Sequence, residues 1–173
     1  MLKSVLIGAA ALTLAGCATV DVANYRAERP ALDLAEYFNG TVDGWGMFQD
    51  RSGKVVRRFT VRIDARWDGD VGTLDEHFEY ADGEKQNRVW KLTRTGDRYV
   101  GTAADVVGEG HGTAAGNAFN LRYVLALPVD GRVWNVDMDD WMFMIDETTV
   151  LNRTTMSKFG LRLGEVTLSF RKR

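Results

Sequence analysis

The stretch Trp134–Gly160, WNVDMDDWMFMIDETTVLNRTTMSKFG, concentrates aromatic, acidic and methionine side chains. It reads as two β-strands joined by a turn at Asp146-Glu147-Thr148, with a short glycine-ended loop after Lys158. Paired about that turn, Met142 lies opposite Arg153 and Phe143 opposite Asn152. Asp140 then falls on the face of Arg153 as a diagonal neighbour, within reach of a long side chain. This ribbon is the wall on which the other strands hang.

Outward from it, the same period of two repeats. Phe59-Val61-Ile63-Ala65-Trp67 alternates with Thr60-Arg62-Asp64-Arg66, a half-buried strand with a wet outer face. Leu74-Glu76-Phe78-Tyr80 alternates less cleanly, because Glu76 falls among the apolar positions. Arg88-Trp90-Leu92 share one face, as do Tyr99-Gly101-Ala103, Phe119-Leu121-Tyr123-Leu125-Leu127 and Val166-Leu168-Phe170. Turn chemistry separates the runs at Asp50-Arg51-Ser52-Gly53, Asp68-Gly69-Asp70, Asp82-Gly83, Gly96-Asp97, Gly116-Asn117 and Asp130-Gly131. No crossover helix fits between them, which excludes parallel βαβ units.

The expected fold is therefore all-β, an antiparallel up-and-down barrel of about nine or ten strands. A meander hides both edges most simply by closing on itself. Leu32, Leu34, Ala35 and Phe38 add a short amphipathic helix before the sheet, lying across an opening of the main body. Gly44-Trp45-Gly46 near the first strand resembles the glycine-tryptophan opening of lipocalin-type barrels, which implies a calycin-like fold.

Of 173 residues, 45% are apolar and 27% charged, enough for one sizeable core. The net charge of −2 carries no basic footprint, which argues against nucleic acid as a partner. Eighteen glycines against two prolines, with five Trp, five Tyr and eight Phe, favour strands and tight turns.

Met1-Leu2-Lys3 supplies a positive start, Val5 to Leu14 is an apolar run, and Leu14-Ala15-Gly16-Cys17 follows at once. A run this short does not span ~30 Å of hydrocarbon, but it suits an export signal. Its ending resembles a bacterial lipobox, which implies that Cys17 accepts a diacylglyceryl group and becomes the first mature residue. The alternative is an ordinary signal peptide with a coincidental cysteine. Acyl chains at about 0.8 kcal/mol per buried methylene make such an anchor lasting. The expected organisation is a signal peptide over 1–16, a lipidated tether over 17–30 and a barrel over 31–173. Ala18 after the cysteine differs from the aspartate of inner-membrane retention, so the expected address is the outer membrane, facing the periplasm.

Gly116-Asn117-Ala118, Asp139-Asp140-Trp141-Met142, Asn152-Arg153 and Lys158-Phe159-Gly160 together resemble the bacterial lipoprotein family filed as domain of unknown function 3833. On that likeness Trp45, Asp139, Trp141, Asn152 and Lys158 are structural motif positions. The family's genes often stand beside fatty-acid-modifying enzymes of the cyclopropane-synthase kind, which implies a lipid.

In the register above, Arg153 faces Met142 and Met144 with Asp140 diagonal. Inside a barrel it would be a cation suited to a fatty-acid carboxylate. Its other reading is a structural ion pair with Asp140, and a one-residue slip would turn it outward. Tyr123 and Trp90 complete the candidate ligand set. The five tryptophans with Met142, Met144 and Met156 either line a chamber or fill a core. Asp137, Asp139 and Asp140 lack the wrapped loop calcium needs, and alternation splits them between faces, so no metal is expected. Asp137 is expected to pair with Lys158. His111 lies between glycines that mark a bulge or bend, with no nucleophile beside it, and no catalytic residue or cofactor is assigned. Three classes result: a lipoprotein holding a fatty acid, lipid or similar apolar ligand, a structural or interaction lipoprotein with a filled lumen, and an enzyme acting on a bound lipid.

Overall fold

The computed structural model describes residues 20–173. The signal peptide and Cys17 lie outside the described residues, so their reading stays an expectation. Ten strands follow in chain order: β1 (Gly40–Asp50), β2 (Val55–Asp68), β3 (Val71–Tyr80), β4 (Lys85–Thr95), β5 (Arg98–Thr102), β6 (Gly110–Ala115), β7 (Ala118–Val129), β8 (Arg132–Met144), β9 (Thr149–Lys158) and β10 (Leu161–Lys172). Each pairs antiparallel with the next, and β10 returns to β1 in the register Trp45↔Ser169, closing the barrel. Closure removes both free edges.

The alternation read from the sequence sets the inner face. Val61, Ile63, Leu74, Trp90, Leu92, Tyr99, Phe119, Leu121, Tyr123, Leu125, Leu168 and Phe170 are all buried. Each such large apolar side chain contributes about 1.5–3 kcal/mol on leaving water. Gly112 on β6 shows why a side chain is missing there: a Cβ would lie 2.5 Å from Cζ of Phe119. The glycines beside His111 thus make room for inward aromatics, while His111 itself points to solvent.

A short helix α1 (Leu34–Tyr37) closes the barrel end that carries the β2–β3, β4–β5, β6–β7 and β8–β9 turns. Asp33 caps it, its Oδ1 accepting from Ala35 N at 2.9 Å and Glu36 N at 3.3 Å. Leu34 and Phe38 are buried, and Phe38 meets Phe170 edge-on at 5.6 Å. Trp67 Nε1 donates to Phe38 O at 3.0 Å, Tyr37 Oη to Thr148 O at 3.0 Å, and Arg94 pairs with Asp33 at 3.1 Å. The plug is therefore tied to three different hairpins.

The segment expected to be a free tether is partly docked. A one-turn 3-10 helix, Val22–Tyr25, lies against β6 and β7, and the Tyr25 ring packs edge-on against Trp141 at 6.0 Å and Phe143 at 5.1 Å. Trp141, stacked on Phe143, is thus on the outside of the barrel.

The β8–β9 register differs by one residue from the expected one. Met142 pairs with Asn152, Trp141 with Arg153 and Asp140 with Thr154. The connection is a four-residue loop, Ile145 to Thr148, closed by Ile145 N donating to Thr149 O at 2.9 Å. Asp146 Oδ1 accepts from Thr148 N and Thr149 N at 2.8 Å each, which holds that loop in shape. One position of slip exchanges the faces of a strand. Arg153 accordingly points outward, 65% exposed, and bonds Glu165 at 2.7 Å. Asn152 takes the inward place.

Candidate functional site

The plugged barrel encloses a cavity of about 570 Å³. Its walls are mainly Phe59, Ile63, Leu74, Phe78, Trp90, Leu121, Met138 and Met156, with Leu34 and Phe38 at the closed end. Arg57, Tyr80, Glu84 and Pro128 line it towards the opposite end, where no helix covers the opening among the described residues. Ligand chambers in proteins fall at about 300–1,000 Å³ and are mostly apolar with few polar groups.

Here the polar groups gather at mid-height. Glu76 on β3 and Arg88 on β4 are direct cross-strand partners, with Arg88 Nη1 3.8 Å from Glu76 Oε2. Asp105, from the segment between β5 and β6, clasps the same guanidinium: Nε lies 3.0 Å from both of its oxygens and Nη2 2.7 Å from Oδ2. Asp140 on β8 stands opposite Leu121 and Thr154, and accepts from Asn152 Nδ2, which also donates to Trp141 O at 3.1 Å. Tyr123 meets Trp90 edge-on at 5.2 Å.

Burial dominates the ionisation of these groups. Desolvation pushes the Glu76 carboxyl up to about 7, with Arg88 opposing and Asp140 reinforcing the rise. Asp140 is raised to about 6, again by desolvation first, with the Asn152 hydrogen bond pulling the other way. Burial also raises the Tyr123 phenol well above its ordinary value. Both inner carboxyls thus exchange protons close to neutrality.

Of the ligand set read from sequence, Asp140, Met142, Tyr123 and Trp90 line the chamber. Met144 is half-buried against the core but does not line it. Arg153 is outside, so the expected lumen cation is absent there, and the structure supplies Arg88 in its place. Asp139 also faces outward, accepting from Asn120 Nδ2 at 2.8 Å and Arg122 Nε at 3.3 Å. Asp137 is exposed, and Lys158 does not pair with it: Nζ donates to Asn135 O at 2.7 Å and lies over the rings of Trp134 and Phe159. Of the five tryptophans only Trp90 lines the chamber; Trp45 and Trp134 are exposed, and Trp67 belongs to the plug. Glu76, Arg88 and Asp105 line the chamber but fall outside the ligand set that the sequence suggests. Glu76 interrupting an apolar face and Arg88 opening one were the available signals, whereas nothing local marks Asp105.

A closed antiparallel barrel of ten strands with a partly vacant, side-chain-lined lumen is a calycin-like fold of the lipocalin type. The chain belongs to the family described as protein of unknown function (DUF3833), whose model matches residues 11–172. Its fold is similar to that of the S-type phycobiliprotein lyase CPES from Guillardia theta, with a TM-score of 0.59 at 11% identity over 84% of this chain and 94% of that one. A search among curated proteins finds no match.

Proposed function

We propose that this is an envelope lipoprotein, anchored through Cys17 in the outer membrane and facing the periplasm, whose barrel holds a small apolar ligand. The observation that carries the reading is the chamber of about 570 Å³, apolar around most of its wall. Side chains pack protein interiors to high density, so a vacancy of this size at the centre of a buried apolar core calls for an occupant. Likeness in fold to a phycobiliprotein lyase is compatible with a barrel that handles a small molecule. The lipobox-like Leu14-Ala15-Gly16-Cys17 motivates the address.

Native mass spectrometry of the full chain carrying Cys17→Ser, followed by organic extraction, tests the ligand. The expected result is an added mass that leaves with the solvent. A bare apo mass, together with failure to take up any apolar probe, would sink the reading. Radiolabelled palmitate incorporation that disappears in Cys17→Ser tests the anchor.

A second reading, an interaction lipoprotein, draws on the uncovered end. Phe159 and Leu161 of the β9–β10 hairpin are 87% and 71% exposed, and Lys158 lies over the rings of both Phe159 and the exposed Trp134 of the β7–β8 hairpin. If the chamber takes nothing, that apolar rim becomes the leading candidate for function.

A further inference from the structure

The lumen's charge inventory bears on which apolar molecule it accepts. Its lining carries two arginines, Arg57 and Arg88, against four carboxylates, Glu76, Glu84, Asp105 and Asp140. Both arginines are already engaged. Arg57, towards the mouth, bonds Asp82 and Glu84 while stacking 3.5 Å from the Tyr80 ring centre. Arg88 is chelated by Asp105 and faced by Glu76. A fatty-acid carboxylate entering here would be a further anion around a cation with two carboxylates of its own. In a low-dielectric chamber that repulsion is large.

The unmet need is the opposite one. Glu76 is 13% exposed at its side chain, and its Oε2, shut off from bulk water, accepts no hydrogen bond among the described residues. Arg88 Nη1 at 3.8 Å is too distant to supply one. The terminal torsion of a glutamate is soft, so either oxygen can turn to a donor in the lumen. Leaving a buried acceptor unpaired costs about 1–3 kcal/mol.

We propose that the chamber takes an apolar molecule ending in a basic nitrogen, an alkyl or aromatic amine, whose N–H groups donate to Glu76 with Asp140 as the second anion. This rests on the apolar-lumen reading and narrows it to a ligand class. The groups around Glu76 are Arg88 on β4, Asp105 beside it, Tyr123 on β7, Asp140 on β8 and Asp75 on its own strand. Only Arg88 among them is cationic, and Asp105 neutralises it. An ammonium binds the ionised carboxyls, so its affinity rises as the pH passes upward through about 6 to 7, where Asp140 and Glu76 lose their protons. A carboxylate ligand follows the reverse course.

Calorimetric titration of the full chain carrying Cys17→Ser with 1-aminodecane, decanoic acid and decan-1-ol separates the possibilities. Above both carboxyl values, the amine should bind at least about tenfold more tightly than the acid, and its affinity should fall on acidification. Glu76→Gln should bring amine and acid within roughly threefold of each other, while Glu79→Gln, on the outer face, should leave the ratio unchanged. Should Glu76→Gln fail to fold, Asp140→Asn and the wild-type pH profile carry the same test. Equal or tighter binding of the acid overturns the amine proposal while leaving the apolar lumen intact. No binding of any of the three, the neutral alcohol included, overturns the lumen reading and the proposal together.

Discussion

Arg88 and Asp105 form a bidentate ion pair inside the barrel, with Nη2 2.7 Å from Oδ2 and Nε 3.0 Å from both carboxylate oxygens. Asp105 belongs to no strand. The bond from Ala126 N to Asp105 O at 2.8 Å and the isolated Val106↔Leu125 bridge hold its segment against β7. The pair therefore joins an irregular segment to β4 through the interior, and Arg88, matched in charge by Asp105, is also the cation nearest Glu76, at 3.8 Å.

Arg88→Met should destabilise the protein by roughly 3–5 kcal/mol, because it leaves buried carboxylates without a cation. Urea unfolding near neutral pH measures this. The loss should shrink on acidification, as the freed carboxyls take up protons. A change within about 0.5 kcal/mol would mean that water already solvates the cluster.

Arg153→Ala should cost no more than about 1 kcal/mol, as expected for an exposed ion pair. Its partner Glu165 keeps Arg162 at 2.9 Å. Ligand retention, followed by mass spectrometry, should match the wild type, since the side chain lies on the outer wall. Loss of ligand in this variant would contradict the observed β8–β9 register.

Glu76 makes stability depend on pH in a direction that can be worked out. Its folded value, about 7, lies above the ordinary 4.5, so between those limits the folded state binds more protons than the unfolded one. Stability therefore falls as the pH rises through that window, by an amount on the order of 3 kcal/mol for this group alone. Glu76→Gln should flatten that slope and raise the melting temperature at mildly alkaline pH, with little difference in acid below the ordinary carboxyl value. Thermal melts across the window, wild type against variant, provide the check. An unchanged slope would count against burial as the source of the shift.

Gly116 sits at φ +55° in the β6–β7 turn, and a Cβ there would collide with the backbone carbonyl of Tyr25. Gly116→Ala should cost roughly 1–2 kcal/mol of backbone strain and lift Val22–Tyr25 off the barrel. Limited proteolysis should then cut faster within residues 20–30 while the strands stay protected. Equal cutting rates would show that the docked turn adjusts without leaving.

The site was legible in part, and the two halves of it differ for a physical reason. Trp90 and Tyr123 stand in clean alternating runs, so their inward direction followed from the pleat alone. Arg88 shares the face of Trp90 and Glu76 interrupts the apolar face of Leu74 and Phe78, but neither run alone shows that the two are cross-strand partners, directly opposite each other across β3 and β4. Asp105 carries no periodic signal because its segment has no repeating geometry. It reaches the lumen only because the chain between β5 and β6 folds back against β7.

Period-two hydrophobicity and glycine-rich turns by themselves determined the antiparallel meander and the inner faces of β2, β3, β4, β7 and β10, while the helical spacing of Leu34, Ala35 and Phe38 marked the short helix ahead of them. These follow from local sterics and from the burial of one face of each element. Only the tertiary structure decided the side on which Arg153 lies, since one residue more or less in the Ile145–Thr148 loop reverses a whole strand. Closure was the expectation from the meander; that the centre it encloses is vacant only the tertiary structure decided. Vacancy depends on how all ten strands tilt and pack together, which no single stretch of chain encodes.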